Sequence, residues 1–331
     1  MSMSADADRD GGIAEAGSGA VGPAQGPAVQ ATGSVPSNPD VGANPAAGHT
    51  ADHAAAHGGG SAAHAAPAQA HPSRSGRISG GLRLAISTLT IWRAGAPRAD
   101  AAVVSVAMTA APAVGLGLGA VAAGTAQLAN WLTGSPLIAA VIGVAALAAQ
   151  TRALHLDGLA DTADGLGSNK PAEQALALMK RSDIGAFGVV ALVLVLAVQI
   201  SGLAAAFAIH RGPVAVIVAA VAGRLGVTAG CTQPIPSARP GGLGSWVAGS
   251  VRVRVALAAG VVAAIVCGAL GLIVDPQTAA LAAAAVPLGL AAALALLARC
   301  IDRLGGITGD VLGAMVETGA AVAILVLAVR F

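Results

Sequence analysis

The feature that most constrains the fold of this sequence is a series of apolar stretches, each close to the length that crosses a lipid bilayer. A helix needs about 20 apolar residues for that crossing, and seven such stretches occur at about 101–129, 136–154, 186–209, 213–231, 255–274, 279–298 and 311–329. The 331 residues are 55% hydrophobic and only 10% charged, whereas about one-quarter of the residues in a soluble domain are charged. The sequence therefore predicts an all-α fold, a polytopic integral membrane helical bundle of about seven transmembrane helices.

Residues 1–76 differ in composition from the rest of the chain. They consist mainly of Ala, Gly, Pro, Ser, His and Asp, with almost no Leu, Ile or Phe. Such a segment buries too little apolar surface to offset the entropy of ordering, so we expect a disordered, low-complexity tail. Residues 77–331 form the predicted membrane-embedded domain. Within it, the segment 82–92 is too short to span and is expected to lie at the membrane interface.

The distribution of Lys and Arg predicts the orientation. If the N-terminus is cytoplasmic, nearly all basic residues between the spans are cytoplasmic too, and only Arg211 and Arg330 lie on the other side. We therefore expect a multi-pass protein of the cytoplasmic membrane, embedded in the lipid bilayer, with an active site that faces the cytoplasm. The net charge of only +2 and the aromatic content of 2% argue against a nucleic-acid partner.

The most informative motif is HLDGLADTADGLG at 155–167. On a helix, Asp157, Asp161 and Asp164 stand at i, i+4 and i+7 and share one face. Three carboxylates on one face repel one another unless a cation lies among them. Carboxylate oxygens suit Mg²⁺, which usually takes phosphate oxygens as further ligands. The spacing therefore favours a Mg²⁺ site over a merely solvated acidic helix.

Two further cytoplasmic segments combine basic residues with glycines. The segment 179–188, MKRSDIGAFG, offers Lys180, Arg181 and Ser182 as donors to phosphate oxygens. A simple basic anchor at the membrane surface explains Lys180 and Arg181 equally well. The segment 234–244, PIPSARPGGLG, is too rich in Pro and Gly to be helical, and its Arg239 is a candidate phosphate ligand.

The segment 305–317, GGITGDVLGAMVE, carries two more acids. Asp310 and Glu317 are seven residues apart and so share a helical face. Glu317 falls inside a predicted span, where an acid is by default a sign of function. Arg224 lies in another span and could pair with Glu317, either as a structural ion pair or as part of an active site. Together, these segments predict metal-assisted transfer of a phosphate-containing group at the membrane surface.

At these residues the sequence resembles the cobalamin synthase family, the adenosylcobinamide-GDP ribazoletransferases. The resemblance covers about residues 82–331 and includes the opening segment LRLAISTLTIW at 82–92. Its four motifs occur in the family's order: LHLDGLADTADGLG at 154–167, MKRSDIGAFG at 179–188, SARPGGLG at 237–244 and GGITGDVLGA at 305–314.

The resemblance implies a reaction in which a hydroxyl of α-ribazole, or of its 5′-phosphate, attacks adenosylcobinamide-GDP. GMP leaves, adenosylcobalamin or its 5′-phosphate forms, and Mg²⁺ is required. Other membrane-associated enzymes of cobalamin assembly become candidate partners, while the oligomeric state stays open.

The resemblance also implies roles for individual residues. Mg²⁺ on the pyrophosphate is assigned to Asp157, Asp161 and Asp164, and a second metal site to Asp310 and Glu317. Binding of the substrate phosphates is assigned to Lys180, Arg181, Ser182 and Arg239. Acceptance of the proton from the attacking hydroxyl is assigned to Asp183 or His155.

Two alternatives remain open from the sequence. A CDP-alcohol phosphotransferase also uses an Asp-rich motif containing Asp-Gly at the membrane surface, but its motif has an Ala-Arg pair where this chain has Ala160 and Asp161. From another class, a cobalt or corrinoid membrane carrier would fit seven spans. A carrier usually places acids near the middle of the membrane, whereas most acids here are predicted at one face.

Overall fold

The structure, a computed structural model, describes residues 73–95 and 100–330, which form twelve α-helices and no β-strand. The helices are α1 (Arg74–Leu89), α2 (Ala101–Thr109), α3 (Ala111–Thr133), α4 (Pro136–Gln150), α5 (Leu154–Gly167), α6 (Ala172–Leu178), α7 (Ala186–Ala208), α8 (Gly212–Gly230), α9 (Gly242–Val247), α10 (Val253–Gly271), α11 (Pro276–Leu304) and α12 (Gly309–Ala328).

Six helices in the described part of the chain are long and apolar enough to cross a membrane: α3, α7, α8, α10, α11 and α12. The helices α4 and α5 pass the same test only as a pair, and the pair is bent by 89°. The predicted class, a polytopic helical membrane protein of about seven spans, is confirmed.

Two predicted spans are interrupted. The stretch 101–129 is divided into α2 and α3 at Ala110, because Pro112 in the first turn of α3 has no N–H to continue the hydrogen bonds of α2. The stretch 136–154 ends as a helix at Gln150, and Arg152 and Ala153 then adopt left-handed conformations with φ of 53° and 56°. This turn redirects the chain into α5, so the acidic motif does not continue the direction of α4.

The centre of the bundle is α8, in which nearly every residue is buried. Glycines let its neighbours approach its backbone closely. A Cβ added at Gly115 of α3 would lie 2.5 Å from the carbonyl oxygen of Ala220, and one added at Gly223 would lie 2.6 Å from that of Val316 in α12. Small residues at such crossings are typical of helix packing inside membranes.

The segment 82–92, predicted to lie at the interface, is mostly helical and belongs to α1, which begins earlier, at Arg74. The predicted tail, residues 1–76, lies outside the described residues apart from 73–76, at the start of this helix. All three cysteines, Cys231, Cys267 and Cys300, are free and buried.

Candidate active site

The first acidic motif folds as predicted into a helix, α5, which crosses the start of α12 in backbone contact. A Cβ added at Gly158 would lie only 2.6 Å from the carbonyl oxygen of Asp310, and one added at Gly313 would lie 3.1 Å from Cα of His155. Glycine is needed at this crossing because any larger residue would separate the two helices. The close approach sets Asp157 and Asp161 of α5 beside Asp310 of α12.

These three carboxylates, Asp157, Asp161 and Asp310, form what we call the acidic group. The charges of Asp157 and Asp310 both repel that of Asp161, with a smaller repulsion from Asp164, while Arg239 attracts it. Their side chains do not converge into a preformed cage of three metal ligands within residues 73–95 and 100–330. The arrangement is therefore a patch with an excess of negative charge, only part of which Arg239 compensates.

Arg239 reaches the acidic group because two distant loops are joined. The backbone N–H of Ala238 donates to the carbonyl of Ile307 at 3.0 Å, and the N–H of Ile307 donates to the carbonyl of Pro236 at 2.9 Å. Arg239 Nη2 then lies 3.6 Å from Asp310 Oδ2, and its Nη1 donates to the carbonyl of Leu176 at 3.3 Å. Residues 234–241 of the segment 234–244 are non-helical as predicted, but the prediction is wrong for residues 242–244, which begin the short helix α9.

Asp164 has a different environment from the other two aspartates of α5. Its Oδ2 accepts a hydrogen bond from the N–H of Gly185 at 2.7 Å, and its Oδ1 accepts one from the N–H of Gly188 at 2.9 Å. A Cβ on either glycine would lie within 2.5 Å of this carboxylate. Asp164 is buried and holds the start of α7 against α5, so it serves as a remote cap for α7. Both oxygens of Asp164 thus have backbone donors, and its place in a three-aspartate metal site stays a prediction.

The basic segment before α7 is exposed and pairs with itself. Arg181 forms a bidentate ion pair with Asp183, at 2.9 Å from Nε to Oδ1 and 3.0 Å from Nη2 to Oδ2. The hydrogen bonds from Arg181 lower the pKa of Asp183 below its usual value, which makes Asp183 a weak proton acceptor. Lys180 and Ser182 are exposed on either side of Arg181. The structure brings none of these four residues into contact with the acidic group.

A cavity of about 210 Å³ adjoins the acidic group, and His155, Arg239 and Asp310 all line it. His155 is 4% exposed, and its Nδ1 lies 3.4 Å from Nη2 of Arg224. A guanidinium can only donate, so Nδ1 is the acceptor and the proton of the neutral ring is on Nε2. Pockets for drug-sized ligands measure about 300–1,000 Å³, so this cavity has room for a phosphate or a sugar and not for a whole corrinoid.

Glu317 lies apart from the acidic group. Seven residues correspond to about 10.5 Å along a helix, and Glu317 Oε2 accepts a hydrogen bond from Gln199 Nε2 of α7 at 2.8 Å. The predicted second metal site of Asp310 and Glu317 is therefore not assembled. Arg224 and Glu317 line one small cavity of about 20 Å³ without an ion pair between them, and Arg224 contacts His155 instead. Gln199 is not among the residues predicted from the sequence, where its only signal is an amide within an apolar stretch.

Comparisons with known proteins agree with the family resemblance. A family model described as cobalamin-5-phosphate synthase matches residues 81–328. An adenosylcobinamide-GDP ribazoletransferase of Frankia casuarinae is 39% identical over 259 residues, which cover 74% of this chain and 93% of the relative. The enzyme of the same name from Bradyrhizobium diazoefficiens is 38% identical over 75% of this chain and 92% of its own length, and that from a Nocardioides species is 33% identical over 75% and 98%. No solved structure matches significantly.

Proposed function

The chain belongs to the cobalamin-5-phosphate synthase family and is an enzyme of the adenosylcobinamide-GDP ribazoletransferase type, and from that premise we propose its reaction in detail. The protein transfers the adenosylcobinamide-phosphate group of adenosylcobinamide-GDP to a hydroxyl of α-ribazole or of its 5′-phosphate. The hydroxyl oxygen forms a bond to the cobinamide-proximal phosphorus, the bond from that phosphorus to the bridging oxygen breaks, and GMP leaves. The observation that carries this proposal is the convergence of Asp310, Arg239 and His155 on one cavity beside Asp157 and Asp161.

The acidic group fits Mg²⁺ by its chemistry, because its ligands are all carboxylate oxygens and no cysteine accompanies them. Asp157, Asp161 and Asp310 would hold the ion, which would neutralise the charge of the pyrophosphate and of the departing GMP. Three carboxylates against the one guanidinium of Arg239 leave two uncompensated negative charges, which is the charge that one divalent cation balances. Arg239 would contact a phosphate oxygen directly, since a guanidinium fork matches phosphate geometry.

His155 has the role of a donor in this proposal. Because Nδ1 accepts from Arg224, the Nε2–H is free to donate to a substrate phosphate oxygen in the cavity. Asp183, the other candidate for the hydroxyl proton, is exposed and held by Arg181. The hydroxyl proton is therefore assigned to a carboxylate oxygen of the acidic group that does not contact the ion.

We propose that the site faces the cytoplasm from the cytoplasmic membrane. The acidic group, Arg239 and the exposed segment 180–183 lie where α7 and α12 begin and α8 ends, at the same end as Arg252 and Arg303. Arg211 precedes α8 at the opposite end. This asymmetry agrees with the positive-inside rule.

The test is GMP release from adenosylcobinamide-GDP by membranes that carry the protein, with and without α-ribazole and Mg²⁺. We expect release to need both and to match the cobamide formed mole for mole. Asp157→Asn and Asp310→Asn should lower kcat by about 100-fold or more, whereas Glu173→Gln, a change at an exposed acid of α6, should not. GMP release that does not depend on α-ribazole, or full activity of both Asn variants in the presence of a chelator, would refute the proposal.

A further inference from the structure

A groove outside the acidic group runs between α10 on one side and α2 and α3 on the other. Its upper part is a cavity of about 670 Å³ whose lining includes three arginines, Arg74, Arg77 and Arg252. Its lower part is an apolar cavity of about 180 Å³ between α3, α8 and α10. Neither part belongs to the cavity that contains His155 and Arg239.

The two cavities follow the same two helical surfaces. On α10, Val255 lines the upper cavity, and Ala259, Val262 and Val266 line the lower one. These residues are four, seven and eleven positions apart from Val255, so they form one stripe along the helix. On the facing side, Val106 of α2 lines the upper cavity, and residues 109, 113 and 116 continue the lining below it. The two cavities therefore lie along one groove. We call its upper, polar part the top and its lower, apolar part the stem.

The top of the groove is built for an anion. Among the described residues, its lining contains three guanidinium groups and no carboxylate, and guanidinium groups match the geometry of phosphate oxygens. Ser250 also lines it, and the Oγ of Ser250 is buried without a hydrogen-bond partner among the described residues. An unpartnered buried hydroxyl is costly unless a ligand or water satisfies it.

The length and position of the groove select a lipid among anions. From Val253 to Val266, α10 rises by about 20 Å, which exceeds the roughly 15 Å of one leaflet's hydrocarbon. Arg252 directly precedes α10 at the end of the bundle where the basic residues are concentrated. Arg74 and Arg77 of α1 line the same cavity, so all three arginines lie at headgroup depth. A soluble phosphate would use the top but would leave the apolar stem without a function.

We propose that this groove binds one anionic phospholipid, with its phosphate among Arg74, Arg77 and Arg252 and an acyl chain along Ala259 and Val262. The lipid would bridge α1 to α10, since α1 supplies two of the arginines. Bilayer composition would then influence how firmly the interfacial helix is held to the bundle.

The experiment measures phosphatidylglycerol retained by the purified full-length protein in detergent, by native mass spectrometry, against phosphatidylcholine as the zwitterionic reference. Charge-assisted hydrogen bonds are strong enough that losing them changes affinity by roughly tenfold. We therefore expect the double variant Arg74→Gln, Arg252→Gln to retain about tenfold less phosphatidylglycerol. Arg254→Gln is the matched control, because Arg254 lies two residues away and does not line the groove.

A second variant tests the stem without touching the arginines. Ala259→Trp fills the lower cavity and should reduce retention of the long-chain lipid, whereas Ile265→Trp, on the exposed face of α10, should not. Inorganic phosphate added in excess distinguishes a lipid from a free anion. Full displacement of phosphatidylglycerol by inorganic phosphate, together with no effect of Ala259→Trp, would identify a free-phosphate site and overturn the proposal. Equal retention by the double variant and the unaltered protein would overturn it as well.

Discussion

The crossing of α5 and α12 gives the sharpest test of how the active site is built. In Gly158→Ala, the new Cβ would lie 2.6 Å from the carbonyl oxygen of Asp310 and 2.9 Å from its Cα, whereas ordinary contact begins at 3.4 Å. Both neighbouring atoms belong to the backbone and cannot rotate away, so the two helices must separate by about 0.8 Å. The separation moves Asp157 and Asp161 away from Asp310 and Arg239.

The expected cost to stability is modest and the cost to catalysis is large. Overpacking lowers the free energy of unfolding by about 1–3 kcal/mol, whereas replacing a helical glycine by alanine raises it by about 0.5–1 kcal/mol. The protein should therefore remain folded. A displacement of roughly 1 Å at a catalytic site can cost about 100-fold in rate. We therefore expect GMP release by Gly158→Ala to fall by one to two orders of magnitude, with a much smaller change in the thermal unfolding midpoint.

A graded set of alanine variants controls this prediction. In Gly313→Ala, the nearest atom is Cα of His155 at 3.1 Å, which requires a shift of only about 0.3 Å, so the loss of activity should be smaller. Gly117 and Gly124 of α3 have no atom within 4 Å of an added Cβ, and their alanine variants should keep full activity. Activity of Gly158→Ala equal to that of Gly117→Ala would refute the claim that this crossing sets the geometry of the acidic group.

Three other predictions concern single side chains. Asp164→Asn replaces an acceptor oxygen by an amide donor that faces a backbone N–H. The free energy of unfolding, measured by thermal unfolding, should therefore fall by about 1–3 kcal/mol. Unchanged stability would contradict the capping role. Arg239→Lys keeps the charge but loses the fork that reaches Asp310 and the Leu176 carbonyl. The KM for adenosylcobinamide-GDP, measured in steady-state GMP release, should therefore rise about tenfold. An unchanged KM would show that Arg239 does not bind the substrate. Because Arg181 lowers the pKa of Asp183, the contribution of this ion pair to folding stability is present above the ordinary carboxyl pKa. It is lost only as the pH falls through the lowered pKa. The pH profile of GMP release by Asp183→Asn should therefore match that of the unaltered protein around neutrality, and a shifted profile would restore Asp183 as a proton acceptor.

Local periodicity accounts for the features that the sequence predicted correctly. The spans follow from stretches of apolar residues, and the shared face of Asp157 and Asp161 follows from the 3.6-residue repeat of α5. Both depend only on neighbours along the chain.

The features that the sequence did not predict depend on which helices meet. Asp164 shares a face with Asp157 and Asp161, but its position in the last turn of α5 brings it to the N–H groups of Gly185 and Gly188. Similarly, Asp310 and Glu317 share a face of α12, but helical rise separates them, and each meets a different helix. Periodicity gives the direction of a side chain around its helix, whereas partners along the helix axis are decided by tertiary packing.

The same packing explains why glycines accompany the acids in these motifs. Carboxylates from two helices come together at a membrane surface only if the helix backbones touch, because an aspartate side chain is short. Gly158 lies next to Asp157 and removes the side chain that would hold α12 away, and Gly313 does the same from α12, three residues after Asp310. Gly185 and Gly188 admit the carboxylate of Asp164 and so fix where α7 starts. The pairing of Asp with Gly is thus one structural device used at two contacts of α5: the contact with α12 assembles the acidic group, and the contact with α7 holds α5 in place beneath it.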